Sequence, residues 1–294
     1  MRHFCTVADS GFRSRVLALN YSLKKYSNNY KLHLLCLDNE IYSTISDSNI
    51  KTYLLSDLLN NDTILLESKN NPPSREALHN AQGNIDKAKN IQFIWSLAPY
   101  FSNYCLNNNP TIDSILYIDS DIYFFNNWEK IYEHTSNINI GLVEHRIKHC
   151  HNNGKYNVGI VYFKNNDIGL TCSTLWKDLL LYTDHQFYSS YSDCGDQKYL
   201  ELFPNLFDGV ESFDKFFGHL APWNFNYHTY TDNEIIWEDK KQYIMYCHFS
   251  NFNPNFKEDS YSPAPRHGII NISKNPLLKK IYDEYYTVLK DFEQ

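Results

Sequence analysis

Two carboxylates, Asp119 and Asp121, stand two positions apart directly after the apolar run Ile115-Leu116-Tyr117-Ile118, and a second apolar run, Ile122-Tyr123-Phe124-Phe125, follows them. In an extended chain, residues i and i+2 point to the same side, so both carboxylates can face one ion. Such a pair suits a hard divalent cation, which takes oxygen ligands and can carry substrate phosphates on its open positions. The expected chemistry is a metal and diphosphate site at a strand end. A polar turn closing a strand uses the same residue types, and the pair alone leaves both alternatives open.

Other candidate residues stand at strand ends, inside a strand, at a helix start and in a loop. Ala8-Asp9 closes the first apolar run, and Asn157 and Gly159 interrupt the strand-like stretch Tyr156–Phe163. A glycine inside a strand marks a bulge or a place where something comes close to the backbone. Asp196-Gln197 follows Gly195, Trp223-Asn224 lies in a Pro-containing loop, and His248 ends the apolar run Tyr243–Cys247. Singly, each has a plain structural role: Asn157 as an edge-strand residue, Asp196 as a helix N-cap, Trp223 as core and His248 as a satisfied core histidine.

The elements that would position these residues alternate. Phe4–Ala8, Lys31–Leu37 and Ile50–Leu55 have strand character, and Arg13–Tyr26 carries apolar residues at helical spacing. Ser68–Gln82, with Pro72-Pro73, reads as a loop and candidate lid. Ile91–Leu106 reads as a helix that kinks or restarts at Pro99. Trp128–His134, Leu170–Tyr182 and Asp193–Phe203 follow as helices, and Ile138–Val143 and Tyr243–Phe249 as strands. A closing helix over Pro276–Glu293 has Pro in its first turn. Alternating strands and helices predict an α/β chain with a mostly parallel sheet covered on both faces, whose ligands collect beyond the carboxyl ends of the strands. No linker divides it. The expectation is one domain over 1–294, with residues 260–294 as a helical appendage.

Composition narrows the function classes. Hydrophobic residues at 43% and charged residues at 21% of 294 fit a folded globular chain, and a net charge of −7 with no basic stripe argues against a nucleic-acid partner. The 24 Tyr and 18 Phe are by default core packing, and composition does not separate that from a sugar-stacking or interface surface. Seven scattered cysteines with no Cys-x-x-Cys pair fit reduced thiols. With no apolar run of membrane-span length, a cytoplasmic protein is expected, and peripheral contact with the inner membrane surface stays open. Oligomeric state leaves no trace in the sequence.

Five blocks in order, Thr6-Val7-Ala8-Asp9, Asp119-Ser120-Asp121, Tyr156-Asn157-Val158-Gly159, Gly195-Asp196-Gln197 and Cys247-His248-Phe249-Ser250, resemble those of the metal-dependent GT-A glycosyltransferases, most closely the family-8 type. The resemblance spans roughly residues 4 to 250. It implies a GT-A, Rossmann-like fold, a nucleotide-sugar donor that is usually a UDP-sugar, Mn2+ or Mg2+, a glycan or glycolipid acceptor, and retention of anomeric configuration. By position, Ala8 and Asp9 would meet base and ribose, and Asp119, Asp121 and His248 would ligate the metal. Asn157 would lie by the transferred sugar, Asp196 and Gln197 near its anomeric carbon, and Trp223-Asn224 near the acceptor.

Two basic residues of the family pattern are absent. The helix before the Asp pair reads Gln92-Phe93-Ile94-Trp95-Ser96-Leu97 where an arginine is common, and Ser250–Pro254 lacks a lysine. Lys257, Arg266 or Arg146 are the candidate substitutes. Two rivals share some of these features: a phosphatase of the haloacid-dehalogenase type, in which the first Asp is the nucleophile, and a sugar-nucleotide-binding protein without turnover.

Overall fold

The structure is a computed structural model that describes residues 1–147, 154–182, 195–252 and 272–293. The apolar runs form strands, and β1 (Arg2–Ala8), β2 (Tyr30–Cys36), β3 (Ile50–Leu54) and β4 (Ser114–Ile118) pair in parallel in the order β3-β2-β1-β4. After β4 the chain turns and enters β5 (Ile122–Phe124), which belongs to a second sheet. The main sheet continues through β6 (Ile140–Glu144), β7 (Tyr156–Lys164) and β8 (Val210–Ser212) in the order β4-β7-β6-β8, giving seven strands. Of these seven, β7 runs against the others. The expected mostly parallel α/β sheet is therefore what forms.

Helix α1 (Arg13–Lys24) follows β1, and the short helices α2 (Asn39–Thr44), α3 (Leu55–Asn61), α4 (Thr63–Ser68) and α5 (Arg75–Asn80) precede the long α6 (Ile85–Asn108). Then come α7 (Glu129–Tyr132), α8 (Asp167–Leu181), α9 (Phe203–Leu206) and α10 (Pro276–Phe292). Helices α6 and α8 close one face of the sheet, where Phe101, Cys105, Ile115, Phe163 and Trp176 interlock. On the other face, Leu19 and Leu23 of α1 pack with Phe4, Leu116 and Trp128. Neighbours along a strand, such as Ile115 and Leu116, thus serve opposite cores, which is why parallel strands read as continuous apolar runs.

The second sheet joins β5 to β9 (Gly218–Leu220), β10 (Thr229–Tyr230), β11 (Glu234–Trp237) and β12 (Lys240–His248). The two residues between β11 and β12, Glu238 and Asp239, have φ of 46° and 63°, the left-handed pair that a tight hairpin demands. Helix α10 packs on this sheet and on α1, with Tyr285 stacked 3.7 Å from Phe249. Residues 260–271 of the expected appendage lie outside the described residues.

Three local expectations need correction. Ser68–Gln82 is not all loop: Ser74 caps α5 by accepting from the Ala77 amide, and α5 packs on α6. Helix α6 does not restart at Pro99 but runs on as one helix, because burial of Phe93, Leu97, Phe101 and Cys105 outweighs the one backbone bond that proline cannot donate. Gly195–Gln197 is a turn, followed by a 3-10 helix over Lys198–Leu202; Asp193 and Cys194 lie outside the described residues.

Candidate active site

The run Ile115–Ile118 is interior to the main sheet, and the chain leaves that sheet at Asp119. The Asp119 amide donates to Gly159 O at 2.9 Å, extending the β4–β7 ladder, and the Ile122 amide donates back to Asp119 O at 3.1 Å. Asp119 and Asp121 therefore converge through a turn, not through the strand alternation expected from their spacing. The third residue arrives by long-range register. Strand β12 pairs antiparallel with β5, setting His248 opposite Ile122, and the Phe249 amide donates to Asp121 O at 2.9 Å.

The result is a compact group. His248 Nε2 lies 3.0 Å from Asp121 Oδ1 and 3.6 Å from Asp119 Oδ2, and ligand atoms of all three residues fall within 4.8 Å of one another. Burial, with the Asp121 charge behind it, pushes the Asp119 carboxyl up, although the imidazole opposes it. Burial also acts to raise Asp121, but the His248 charge and hydrogen bond together outweigh it and hold that carboxyl down. Burial would lower His248, yet attraction to Asp121 and Asp119 raises it. Two carboxylates and one imidazole make a donor set that could hold a divalent metal ion.

Around this group lies a cleft of about 550 Å³ at the carboxyl ends of the parallel strands. Ala8 and Asp9 form its edge at the end of β1, with Phe12 beside them, and α5 contributes Glu76 and Asn80. Asn157 and the Gly195–Gln197 turn wall the far side. Asp9, Glu76, Asp119, Asp121 and Asp196 make the cleft acidic, and among the described residues no Lys or Arg lines it. A hollow of similar volume near Asp113 and Lys164 lies at the opposite end of β4, and the Lys164 ammonium there is bound to Ser136 O at 2.8 Å.

Each predicted side chain can now be placed. The Asn157 amide oxygen accepts from the Gly159 amide at 2.8 Å, and its nitrogen lies 3.4 Å from His145 Nε2. The Asp196 carbonyl accepts from the Trp176 indole at 3.0 Å. Burial, and then the Asp119 charge, push the Asp196 carboxyl well up. Gly195 is required beside it: its φ is +60°, and a Cβ there would lie 2.7 Å from the Trp95 ring. Trp223 lines the cleft and meets His248 edge-on at 5.1 Å. Asn224, expected near the acceptor, is instead fully buried: its oxygen accepts from the Ala221 amide at 2.9 Å and its nitrogen lies 3.2 Å from His219 Nε2, so it shapes the loop that presents Trp223.

Arg146 does not supply the missing cation. Its guanidinium is buried against Asp214 and donates to Phe217 O at 2.9 Å. Lys257 and Arg266 lie outside the described residues. Sequence reasoning missed Tyr117, whose hydroxyl donates to Asp119 Oδ1 at 2.8 Å; inside an apolar run it counts as core. Arg15 was missed too. From the first turn of α1 its charge helps hold Asp121 down, while its guanidinium donates to Gly11 O and Phe252 O.

No family model matches the chain. In Bacillus subtilis (strain 168), the uncharacterized protein YfnF is 27% identical, with 85% of this chain and 81% of YfnF covered. YfnD of the same organism is 22% identical over 85% of this chain and 78% of its own. Among solved structures, the chain is similar to the galactosyltransferase LgtC, in complex with donor and acceptor sugar analogs, at a TM-score of 0.51 and 10% identity, covering 97% of this chain and 95% of that one. It is also similar to the glycosyltransferase GlyE of Streptococcus pneumoniae TIGR4, at a TM-score of 0.52 and 16% identity, covering 99% of this chain and 63% of that one. The chain thus has the mixed α/β fold of GT-A glycosyltransferases. At these identities the likeness is one of fold.

Proposed function

We propose that this protein is a metal-dependent glycosyltransferase of the family-8 type, moving a sugar from a UDP-sugar to a hydroxyl of a glycan or lipid-linked saccharide with retention. The observation that carries this is the meeting of Asp119, Asp121 and His248 in one cleft with Asp9, Asn157, Asp196 and Gln197 around them. These residues are spread over some 240 positions, and strand ends of two sheets bring them together.

Asp119, Asp121 and His248 would hold Mn2+ or Mg2+. When bound, such an ion supplies neutralising charge for a departing diphosphate. Ala8 and Asp9 receive base and ribose. In the transfer, the bond between the anomeric carbon and the diphosphate oxygen breaks with its electron pair going to the diphosphate. The acceptor hydroxyl oxygen bonds to that carbon, and its proton passes to the departing phosphate oxygen. Positive charge grows on the sugar ring meanwhile, where the Asp196 carboxyl and the Gln197 amide oxygen offset it. Trp223 offers an aromatic face to the acceptor sugar. The acidity of the cleft makes an anionic donor dependent on the cation.

The test is calorimetric titration with UDP, with and without Mn2+, on the wild type and the Asp119→Ala and Asp121→Ala variants. Binding that requires Mn2+ and is lost in both variants is expected, together with slow UDP release from a UDP-sugar. UDP binding that survives both substitutions would refute the site.

A further inference from the structure

Tyr117 stands on β4 two residues before Asp119, and the Asp119 amide still belongs to the β4–β7 ladder through its bond to Gly159 O. Strand alternation therefore holds from Tyr117 to Asp119, and residues i and i+2 project from the same face. The geometry expected of the carboxylate pair is thus used two residues earlier, by a phenol and a carboxylate. The Tyr117 hydroxyl oxygen lies 2.8 Å from Asp119 Oδ1. An ionised carboxylate only accepts and a phenol keeps its proton at neutral pH, so the hydroxyl donates. Tyr117 sits between Cys5 of β1 and Val161 of β7 in the sheet register, and both belong to the core in which its ring is packed. It is 5% exposed, yet it lines the cleft.

The two oxygens of Asp119 have different neighbours. Oδ1 faces Tyr117, and Oδ2 is the oxygen that faces His248 Nε2 at 3.6 Å. That distance is too long for a hydrogen bond, and the same nitrogen lies closer, at 3.0 Å, to Asp121 Oδ1. Among the described residues, the Tyr117 hydroxyl is therefore the one group that hydrogen-bonds to the Asp119 carboxylate. The main chain of Asp119 is fixed at both ends, its amide on Gly159 O and its carbonyl under the Ile122 amide. A fixed backbone still leaves the last torsion of an aspartate soft, with broad wells. The phenol supplies the constraint that the backbone does not.

We propose that Tyr117 is a positioning residue of the cation site: its hydroxyl holds Asp119 Oδ1 and so keeps Oδ2 turned toward His248, on the side where the divalent ion would be held. The inference rests on the metal centre proposed above. Tyr117 acts through Asp119 and touches neither the ion nor the sugar. A tyrosine that served the core alone would gain nothing from bonding to this carboxylate beyond a satisfied hydroxyl, whereas partners that orient metal ligands support metal affinity.

The experiment uses Tyr117→Phe in the full chain, which removes the hydroxyl and keeps the ring. Its control is Tyr100→Phe: the Tyr100 hydroxyl donates to Asp62 Oδ2 at 3.1 Å, the residue is equally buried, and neither partner lines the cleft. Mn2+ uptake is followed by the electron paramagnetic resonance of free Mn2+, with and without saturating UDP, and urea midpoints are read without metal. Tyr117→Phe should raise the Kd for Mn2+ by about 10- to 100-fold. Tyr100→Phe should change it by less than about twofold, because sites without shared partners act independently. A Tyr117→Phe variant that binds Mn2+ as the wild type does and shows only a lower urea midpoint would overturn the proposal and leave the metal centre standing. So would an equal loss of Mn2+ affinity in Tyr100→Phe, which would trace the effect to general loosening. A wild type that takes up no Mn2+, with or without UDP, would refute the metal centre itself and the inference with it.

Discussion

Gly159→Ala tests the metal centre through a residue that is not one of its ligands. A Cβ on Gly159 would lie 2.6 Å from Asn157 Oδ1 and 2.7 Å from His248 Nδ1. Comfortable contact begins near 3.5 Å, so the imidazole must retreat by roughly 0.8 Å. It has little room to do so: His248 is 6% exposed, Trp223 stands edge-on to it, and its Nε2 is already 3.0 Å from Asp121. Ligand distances in a metal site hold to about 0.2 Å, so a shift of this size takes the imidazole out of coordinating position. Affinity for UDP in the presence of Mn2+ should fall by about 10- to 100-fold, as it does when groups supporting metal ligands are altered. Overpacking should cost about 1–3 kcal/mol of stability, read from urea unfolding without metal. Calorimetry of both proteins at matched Mn2+ gives the comparison. Wild-type UDP affinity in Gly159→Ala would refute the placement of His248 behind this glycine.

Two further outcomes concern stability. Burial pushes His33 and His228 down to about 3 and His145 to about 4, so between pH 6.5 and 4 the unfolded chain binds protons that the folded chain does not. Stability is therefore fully present above the ordinary histidine pKa and is lost as pH falls below it. At pH 5 each ring costs about 2 kcal/mol, about 6 in sum, and His248, whose pKa is raised, returns part of this. A urea midpoint that stays flat from pH 7 to pH 5 in metal-free protein would contradict the burial of these rings. Asp214→Ala strands the Arg146 guanidinium, whose side chain is fully buried, and should cost about 3–5 kcal/mol, whereas a loss below about 1 kcal/mol would show the pair to be solvated.

What the sequence by itself determined is the class of fold and most of the residues at the cleft. Period and length marked β1, β2, β4 and β7, because a strand buried on both faces is a short apolar run whatever its neighbours are. Asp119 and Asp121 were legible as a carboxylate pair at the end of such a run, whereas Asn157, Asp196 and His248 stood out only through the order of blocks that resembles the GT-A glycosyltransferases. Only the tertiary structure decided how they meet. Asp119 and Asp121 converge because the chain turns between two sheets, and His248 joins them because β12 pairs with β5 in one register; local periodicity carries neither fact. The same limit explains Asn224 and Arg146, polar residues that read as surface or site but satisfy each other's surroundings indoors through Asp214 and His219. Burial of a charge depends on partners about 70 positions away, and a sequence read locally does not show which partners the fold will supply.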